Sequence, residues 1–416
     1  MTILGCIADD FTGATDLAAM VARTGATVSL RIGLPDAPPD RTADVEVIAL
    51  KIRSVPAPEA VAAALQALEW LAAAGAQRFY WKYCSTFDST PAGNIGPVAQ
   101  ALLERRGAVK TLYVPSFPEN GRRVFMGQLF VGRQPLAESP MKDHPLNPMR
   151  DSDLVRVLAA QVADAVGLID WPTVSSGIAA VRRAIADGPA HLIADAIRDD
   201  DLATLAAAAH DLPLLTGGSA LAAHLPKQYR AAGLMRAADR ANAPALPGGP
   251  ALILSGSCSA MTRQQVARYA ADAPSLQLDP LTLDRDGVDP ALAWLEAQPF
   301  DPAPLVYATA APDQVRAAQA ALGVEKAGAV VEAALSRLAV AARARGVTRI
   351  VVAGGETAGA VTSALGVSQL RIGPEIAPGV PWCVAEDERG LVALALKSGN
   401  FGDTDFFSRA LGHSHQ

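Results

Sequence analysis

A chain of 416 residues exceeds what one hydrophobic core usually supports, so its length predicts two domains. Half of its residues are hydrophobic and only 19% are charged, a globular composition with ample core; the net charge of −6 offers nothing to a polyanion and argues against a nucleic-acid partner. Cys6, Cys84, Cys258 and Cys383 stand far apart without CxxC or His-rich spacing, which argues against zinc and against a disulfide framework.

The chain opens MTILGCIADD, with no basic region and an apolar run that stops early, so neither a signal peptide nor an anchor is expected. No apolar segment reaches membrane-spanning length, and the expectation is a soluble cytoplasmic protein without membrane partners. Short β-branched or aromatic runs read as buried strands: ILGCIA (3–8), VEVIAL (45–50), RFYWKY (78–83), TLYV (111–114) and HLIA (191–194). Helical periods lie between them. Over 58–74, Val61, Ala64, Leu65, Leu68, Leu71 and Ala72 share one face, and a further helix is expected over 94–106. Alternating strand and helix predicts an α/β fold of two domains, each a mostly parallel sheet flanked by helices. Residues 115–150 interrupt the rhythm. Rich in Pro, Gly and Asn around RVFMGQLFV, they predict a hairpin within an ordered loop.

The strong periods fade again over GLMRAADRANAPALPGGP (233–250), which predicts a boundary between domains 1–235 and 250–416. The second series runs ALIL (251–254), a helix over 261–272, LVYAT (305–309), helices near 312–321 and 327–345, RIVVA (349–353), a helix over 357–365 and LVALALK (391–397).

Ligands of open α/β sheets bind at the carboxyl ends of strands. Asp9 and Asp10 stand at such an end, and Thr12 and Gly13 open the helix that follows. One acid can cap that helix; two caps are implausible, so at least one is expected to serve a ligand hydroxyl or a proton transfer. VEVIAL is followed by Lys51, Arg53 and Ser54. RFYWKY delivers Lys82, then Ser85, Thr86, Asp88, Ser89 and Thr90. Cations and hydroxyls at neighbouring strand ends suit a small polyhydroxylated acid. Taken singly, Arg53 or Lys82 also reads as a surface ion pair, and Asp88 or Ser89 as a helix cap. In the second half, ALILSGSCSAMT and RIVVAGGETAGAVTSALG each place a Gly/Ser turn between strand and helix, and KSGNFG (397–402) adds a third turn. Backbone N–H groups in such turns cradle phosphate. Neither a P-loop motif nor a GxGxxG after the first strand of either half is present. His144 in the long loop is a candidate substrate contact, whereas His413 and His415 fall in a terminal tail.

IADDFTGATD, KYCSTFDST with GNIGP, HPLNPM, TGGSAL, SGSCSAMT, AGGETAG, IGPEIAPGVPW and LKSGNFG keep the order and wording of one family. The chain resembles the four-carbon acid sugar kinases over nearly its whole length, and KYCSTFDSTPAGNIGP with HPLNPM is most similar to the subgroup acting on 3-oxo-tetronates. The resemblance implies ATP-dependent phosphorylation of a terminal 4-hydroxyl and a sugar-acid domain followed by an ATP domain; Mg²⁺ is expected to accompany the ATP. The resemblance places ATP on Ser259, Gly355, Glu356, Thr357, Ala358, Gly359, Ala360, Gly399 and Asn400, and Ser257 in the same Gly/Ser turn is a further candidate. It places the sugar acid on Asp9, Asp10, Arg53 and Lys82, beside Ser85, Thr86 and Asp88.

The expected mechanism gives Asp10 the hydroxyl proton, Asp9 the helix cap or a substrate hydroxyl, and Arg53 and Lys82 the carboxylate. Glu356 is a candidate for the metal, with a first-turn helix acid as its plain alternative. Threonate or erythronate kinases of the same family are the neighbouring reading. A Schiff-base aldolase acting through Lys82 and a non-catalytic sugar-acid sensor are the distant ones. A homo-oligomer is compatible with the sequence.

Overall fold

The first apolar run forms strand β1 (Leu4–Ala8), buried at every position. A strand covered on both faces has no need of alternation. The computed structural model describes residues 2–143, 147–236 and 244–412, and the chain divides into the units Met1–Asn242 and Ala243–Gln416. The candidate contact His144 and the tail residues His413 and His415 lie outside the described residues.

In the first unit, β1 is joined by β2 (Val28–Ile32), β3 (Val45–Ala49), β4 (Arg78–Lys82), β5 (Thr111–Val114), β9 (Val166–Ile169), β10 (His191–Ala194) and β11 (Leu214–Gly217). Their order is β2-β3-β1-β4-β11-β5-β10-β9, with every pair parallel. Helices α1 (Phe11–Ala22), α2 (Ala57–Ala73) and α3 (Ile95–Arg106) follow β1, β3 and β4. The long loop carries the hairpin its sequence predicts: β6 (Arg122–Phe125) pairs antiparallel with β7 (Gln128–Val131), which pairs with β8 (Gln134–Pro135).

From β1 the chain builds β2 and β3 on one side and β4 on the other, so the sheet reverses direction there. Such reversals open a crevice at the carboxyl ends of strands. The register brings those ends level, because Ala8 pairs with Ala49 and with Lys82. Beneath them, buried Trp81, Tyr83, Phe87 and Tyr113 pack in one core, with Tyr83 edge-on to Phe87 at 5.4 Å. Rigid aromatic packing fixes the strand end that carries Lys82.

The second unit contains β12 (Ala251–Ser255), β13 (Ser275–Gln277), β14 (Leu305–Tyr307), β15 (Arg349–Ala353), β16 (Gln369–Ala377), β17 (Val380–Asp387) and β18 (Gly390–Lys397). They lie in the order β13-β14-β12-β15-β18-β17-β16. Pairs from β13 to β18 are parallel, while β17 is antiparallel to both its neighbours. The antiparallel pair was absent from the sequence expectation because Pro374, Pro378 and Gly379 break the apolar alternation. The sheet accommodates them with register shifts between Ile372 and Ala377. This sheet also reverses direction, at β12. Among the described residues, no helix is long and apolar enough to cross a membrane.

Candidate active site

Asp9 closes the end of β1. Its N–H donates to the Lys82 carbonyl at 3.0 Å, and its own carbonyl accepts from the Ile52 and Arg53 N–H groups at 3.0 and 3.2 Å. The loop after β3 is thereby drawn across the strand end, bringing Arg53 inward and leaving Lys51 and Ser54 exposed. Arg53 donates from Nε and Nη2 to the two Asp9 carboxylate oxygens at 2.7 and 2.8 Å. Asp9 is only 3% exposed, and a buried carboxylate is tolerable when such a fork neutralises it. Burial works against the Arg53 charge, but the two acids more than offset it and hold the guanidinium protonated.

Asp10 carries the helix cap, which is one of the two roles the sequence leaves open for Asp9. Its backbone is extended (φ −148°, ψ 163°) and its Oδ1 accepts from Gly13 N–H at 2.7 Å. The cap falls to the residue directly before the first helical turn, and Asp9 lies one position too early. Arg53 Nη2 stands 2.8 Å from the same Oδ1, so both contacts leave Oδ2 open. Burial pushes the Asp10 carboxyl above the usual carboxylate range and the Asp9 charge adds to it, against the pull of Arg53, Lys82 and the Gly13 N–H. Lys82 is buried and donates to the Tyr83 carbonyl at 2.9 Å. A Cβ at Gly13 would lie 2.4 Å from Asp10 Oδ1 and 2.8 Å from Lys82 Nζ, so only glycine lets the three groups close up.

The loop after β4 is held by its own side chains. Thr86 donates to Asp88 Oδ1 at 2.6 Å and contacts the Cys84 thiol at 2.9 Å, while Ser89 accepts from Gln161 Nε2 at 2.9 Å. Neither Asp88 nor Ser89 caps α3: Asn94 occupies the cap position, and Gln161 Oε1 accepts from Gly96 N–H at 2.9 Å. The loop between β4 and α3 tightens too early for either to reach, with Phe87 in the left-handed region at φ 51°. Thr86 and Asp88 are buried and Ser85 is half-buried. Burial, followed by the Asp88 charge, lifts the Cys84 thiol to about 12, so it remains a thiol at neutral pH.

In the second unit, the turns after β12, β14, β15 and β18 line one cavity of about 420 Å³. Ser257, Gly355, Glu356, Thr357 and Gly399 face it. The two helix starts differ. Helix Ala260–Ala270 is capped by Ser259, whose Oγ accepts from Thr262 N–H at 3.2 Å. Helix Gly355–Ala364 has Gly354 at its cap position and no capping side chain, so its first N–H groups are left for a ligand. Gly354 sits at φ 124°, a conformation closed to ordinary side chains. The expected contacts Ala358, Gly359 and Ala360 follow along that helix, with Ala358 buried behind the turn and the other two half-buried, whereas Asn400 is exposed. Glu356 is an exposed first-turn acid at the cavity.

Sequence reasoning missed three residues. Asn94 secures the Arg53 loop by donating to the Ile52 carbonyl at 2.7 Å and the Val55 carbonyl at 3.1 Å. Asp16, inside the same IADDFTGATD stretch, is an acid whose pKa burial raises against the nearby Lys82 charge. Lys397, 1% exposed, ends β18 and donates to the Ser398 and Gly399 carbonyls at 3.0 and 2.9 Å and to Thr262 Oγ1 at 3.1 Å. It ties the third turn to the start of helix Ala260–Ala270. Its signal was in plain view, an ammonium closing an apolar strand just as Lys82 does.

Comparison with known proteins follows the same division. A family model described as a sugar-binding N-terminal domain matches residues 4–225, and one described as a nucleotide-binding C-terminal domain matches 252–407. Curated relatives named 3-oxo-tetronate kinase include one from Burkholderia multivorans, 52% identical over 98% of this chain and 96% of its own length. Another, from Cupriavidus necator, is 52% identical over the same shares. A crystal structure of a Salmonella typhimurium LT2 protein, provisionally described as a tRNA synthase, superimposes with a TM-score of 0.90 at 42% identity over 98% of both chains.

Proposed function

This chain belongs to the four-carbon acid sugar kinase family, and from that premise we infer that it phosphorylates the 4-hydroxyl of a 3-oxo-tetronate at the expense of ATP. The first unit binds the sugar acid and the second binds the nucleotide. The observation that carries this reading is the cavity of the second unit, where an uncapped helix start presents N–H groups to an anion beside neutral Gly and Ser turns. The acid pair of the first unit supplies the complementary chemistry.

Phosphoryl transfer asks chiefly for positioning and charge neutralisation. The 4-hydroxyl oxygen bonds to the γ-phosphorus as the bond to the β–γ bridging oxygen breaks, ADP leaves, and Asp10 Oδ2 takes the hydroxyl proton. A carboxyl raised above its ordinary range is a better acceptor than an unperturbed one. Lys82, with ammonium donors beyond its bond to Tyr83, and Arg53, through Nη1, hold the substrate carboxylate. Asp9 is the positioning residue that keeps Arg53 in place. Thr86 and Asp88 shape the loop that presents Ser85. Glu356 is the single acid in the turn, which suits Mg²⁺ held mainly by phosphate oxygens and water. When bound, the ion neutralises phosphate charge.

The test is ADP release against four-carbon acids with and without the 3-oxo group. Turnover fastest with 3-oxo-tetronate is expected. Faster turnover of threonate or erythronate would move the assignment within the family, and borohydride trapping of substrate on Lys82 would replace it with the aldolase reading.

A further inference from the structure

The stretch TGGSAL (216–221) ends β11, the strand beside β4, and its turn is anchored by Tyr80, whose hydroxyl donates to the Gly218 carbonyl at 2.6 Å. A Cβ at Gly218 would stand 3.7 Å from Ser85 Cβ, so this turn borders the loop that Lys82 and Ser85 share. Ser219 comes next and opens the short helix Ser219–Ala222, against which α1 packs. It is 1% exposed, and its Oγ has no hydrogen-bond partner among the described residues. A hydroxyl buried without a partner is costly, and a ligand that pairs with it relieves that cost. The nearest polar group is on α1. Gly13 faces Lys82 Nζ there, and Asp16, three residues on, lies one turn further along the same face. Asp16 is half-buried and so remains reachable. Its carboxylate stands close enough to the Ser219 hydroxyl to be steadied by it, yet the two lack hydrogen-bond geometry. An acceptor and a donor thus face one spot beside Lys82, neither closing on the other.

We propose that Asp16 and Ser219 together bind the C2 hydroxyl of the sugar acid, Asp16 accepting from it and Ser219 Oγ donating to it, and so decide which C2 configuration is phosphorylated. The inference rests on the kinase reading and adds a stereochemical preference to it. With the carboxylate on Lys82 and Arg53 and the 4-hydroxyl on Asp10, two substrate groups remain: the 3-oxo oxygen and the C2 hydroxyl. A carbonyl oxygen only accepts, so it gains nothing from a carboxylate. A hydroxyl both donates and accepts, which is what this pair offers. C2 adjoins the carboxylate carbon just as Asp16 adjoins Lys82. Both groups stand on one wall, where α1 meets helix Ser219–Ala222. The opposite configuration turns its hydroxyl away from that wall and leaves them unpaired.

3-Oxo-tetronate has a single stereocentre, C2, so its two enantiomers test the contact directly. ADP release gives kcat/KM for each enantiomer with the wild type, Ser219→Ala and Asp16→Ala, and thermal melting confirms folding. The wild type is expected to prefer one enantiomer on the order of 10²-fold. Ser219→Ala should cut kcat/KM for that enantiomer about fivefold and for the other less than twofold. It should lose no melting temperature, because the hydroxyl it removes has no partner in the protein. Asp16→Ala should shrink the ratio between the enantiomers on the order of tenfold or more. The ratio is the measure there, since losing Asp16 alters the field at Lys82 for both enantiomers alike. A wild type that uses both equally, or a folded Ser219→Ala that keeps the wild-type ratio, overturns the C2 contact. The kinase reading fails separately. A wild type that releases no ADP with any four-carbon acid sinks that reading, and calorimetric binding of the two enantiomers to the same proteins then decides the contact by the same ratios.

Discussion

Both units run parallel strands into tight turns and helix starts, yet they put opposite electrostatics there. In the first unit the turn is built from full charges: Asp9 and Asp10 share Arg53, and Lys82 stands beside them. In the second it is built mainly from Gly, Ser and Thr, with N–H dipoles facing the cavity, one exposed acid, Glu356, at its edge and one ammonium, Lys397, sealed behind. The difference teaches how each site should fail. A network of buried charges is fixed by its partners, so an isosteric change in one member is felt by all. A backbone site has no side chain to delete, and substitution reaches it by filling space or by loosening the turn.

The largest effect should come from Asp10→Asn. Asparagine caps a helix as well as aspartate does, so the fold and the Gly13 bond are preserved, while the charge, the proton acceptor and the ion pair with Arg53 are lost. A fall in kcat of roughly 10²- to 10⁴-fold is expected with little change in melting temperature. An unchanged kcat would return Asp10 to a purely structural role and make the first unit's charges scaffolding. Arg53→Ala should come next. It strands Asp9, 3% exposed, without its fork, and should cost about 3 kcal/mol in chemical denaturation. A loss under about 1 kcal/mol, typical of exposed pairs, would erase the contrast between the units.

Lys397 sharpens the comparison from the other side. Burial lowers its pKa from 10.5 to about 8. Its folded value lies below its unfolded one, so its contribution to stability is full above about 10.5 and is lost as pH falls through about 8. Between those limits the wild type should gain on Lys397→Met by something of the order of 3 kcal/mol. Melting temperatures measured from pH 7.5 to 10 report it, and equal slopes for the two proteins would show that the ammonium is not desolvated.

How much of this was legible beforehand differs between the units for the same physical reason. Buried parallel strands write themselves as unbroken apolar runs, and ILGCIA, RFYWKY, ALIL and RIVVA lie where β1, β4, β12 and β15 form. Ionisable residues at their ends stood out by contrast. Short β2 and the Pro-interrupted β16 carry no such run, so they were invisible. Which acid caps, and which cation faces inward, depends on dihedrals and on a loop drawn in by Asn94, neither of which spacing encodes. The aliphatic wall of the second unit's cavity, from Val315 to Val331, was hidden for another reason. It is the ordinary apolar stripe of amphipathic helices, identical in sequence to a face that packs in a core.

The smallest predicted effect bears on Ser259, which the family resemblance assigns to ATP and the structure engages as a helix cap. These roles separate cleanly in Ser259→Ala. A hydroxyl that serves only the Thr262 N–H should cost about 1 kcal/mol of stability when removed and leave the KM for ATP within about twofold of the wild type. A hydroxyl that also reaches a phosphate oxygen should raise that KM several-fold more, because its hydrogen bond to the phosphate goes with it. Ser259→Gly refines the reading, since glycine loses only a few tenths of a kcal/mol as a cap and so isolates any phosphate contact from the stability loss. If both variants raise KM equally, Ser259 is a nucleotide ligand, and the second unit binds phosphate with side-chain hydroxyls as well as with its backbone.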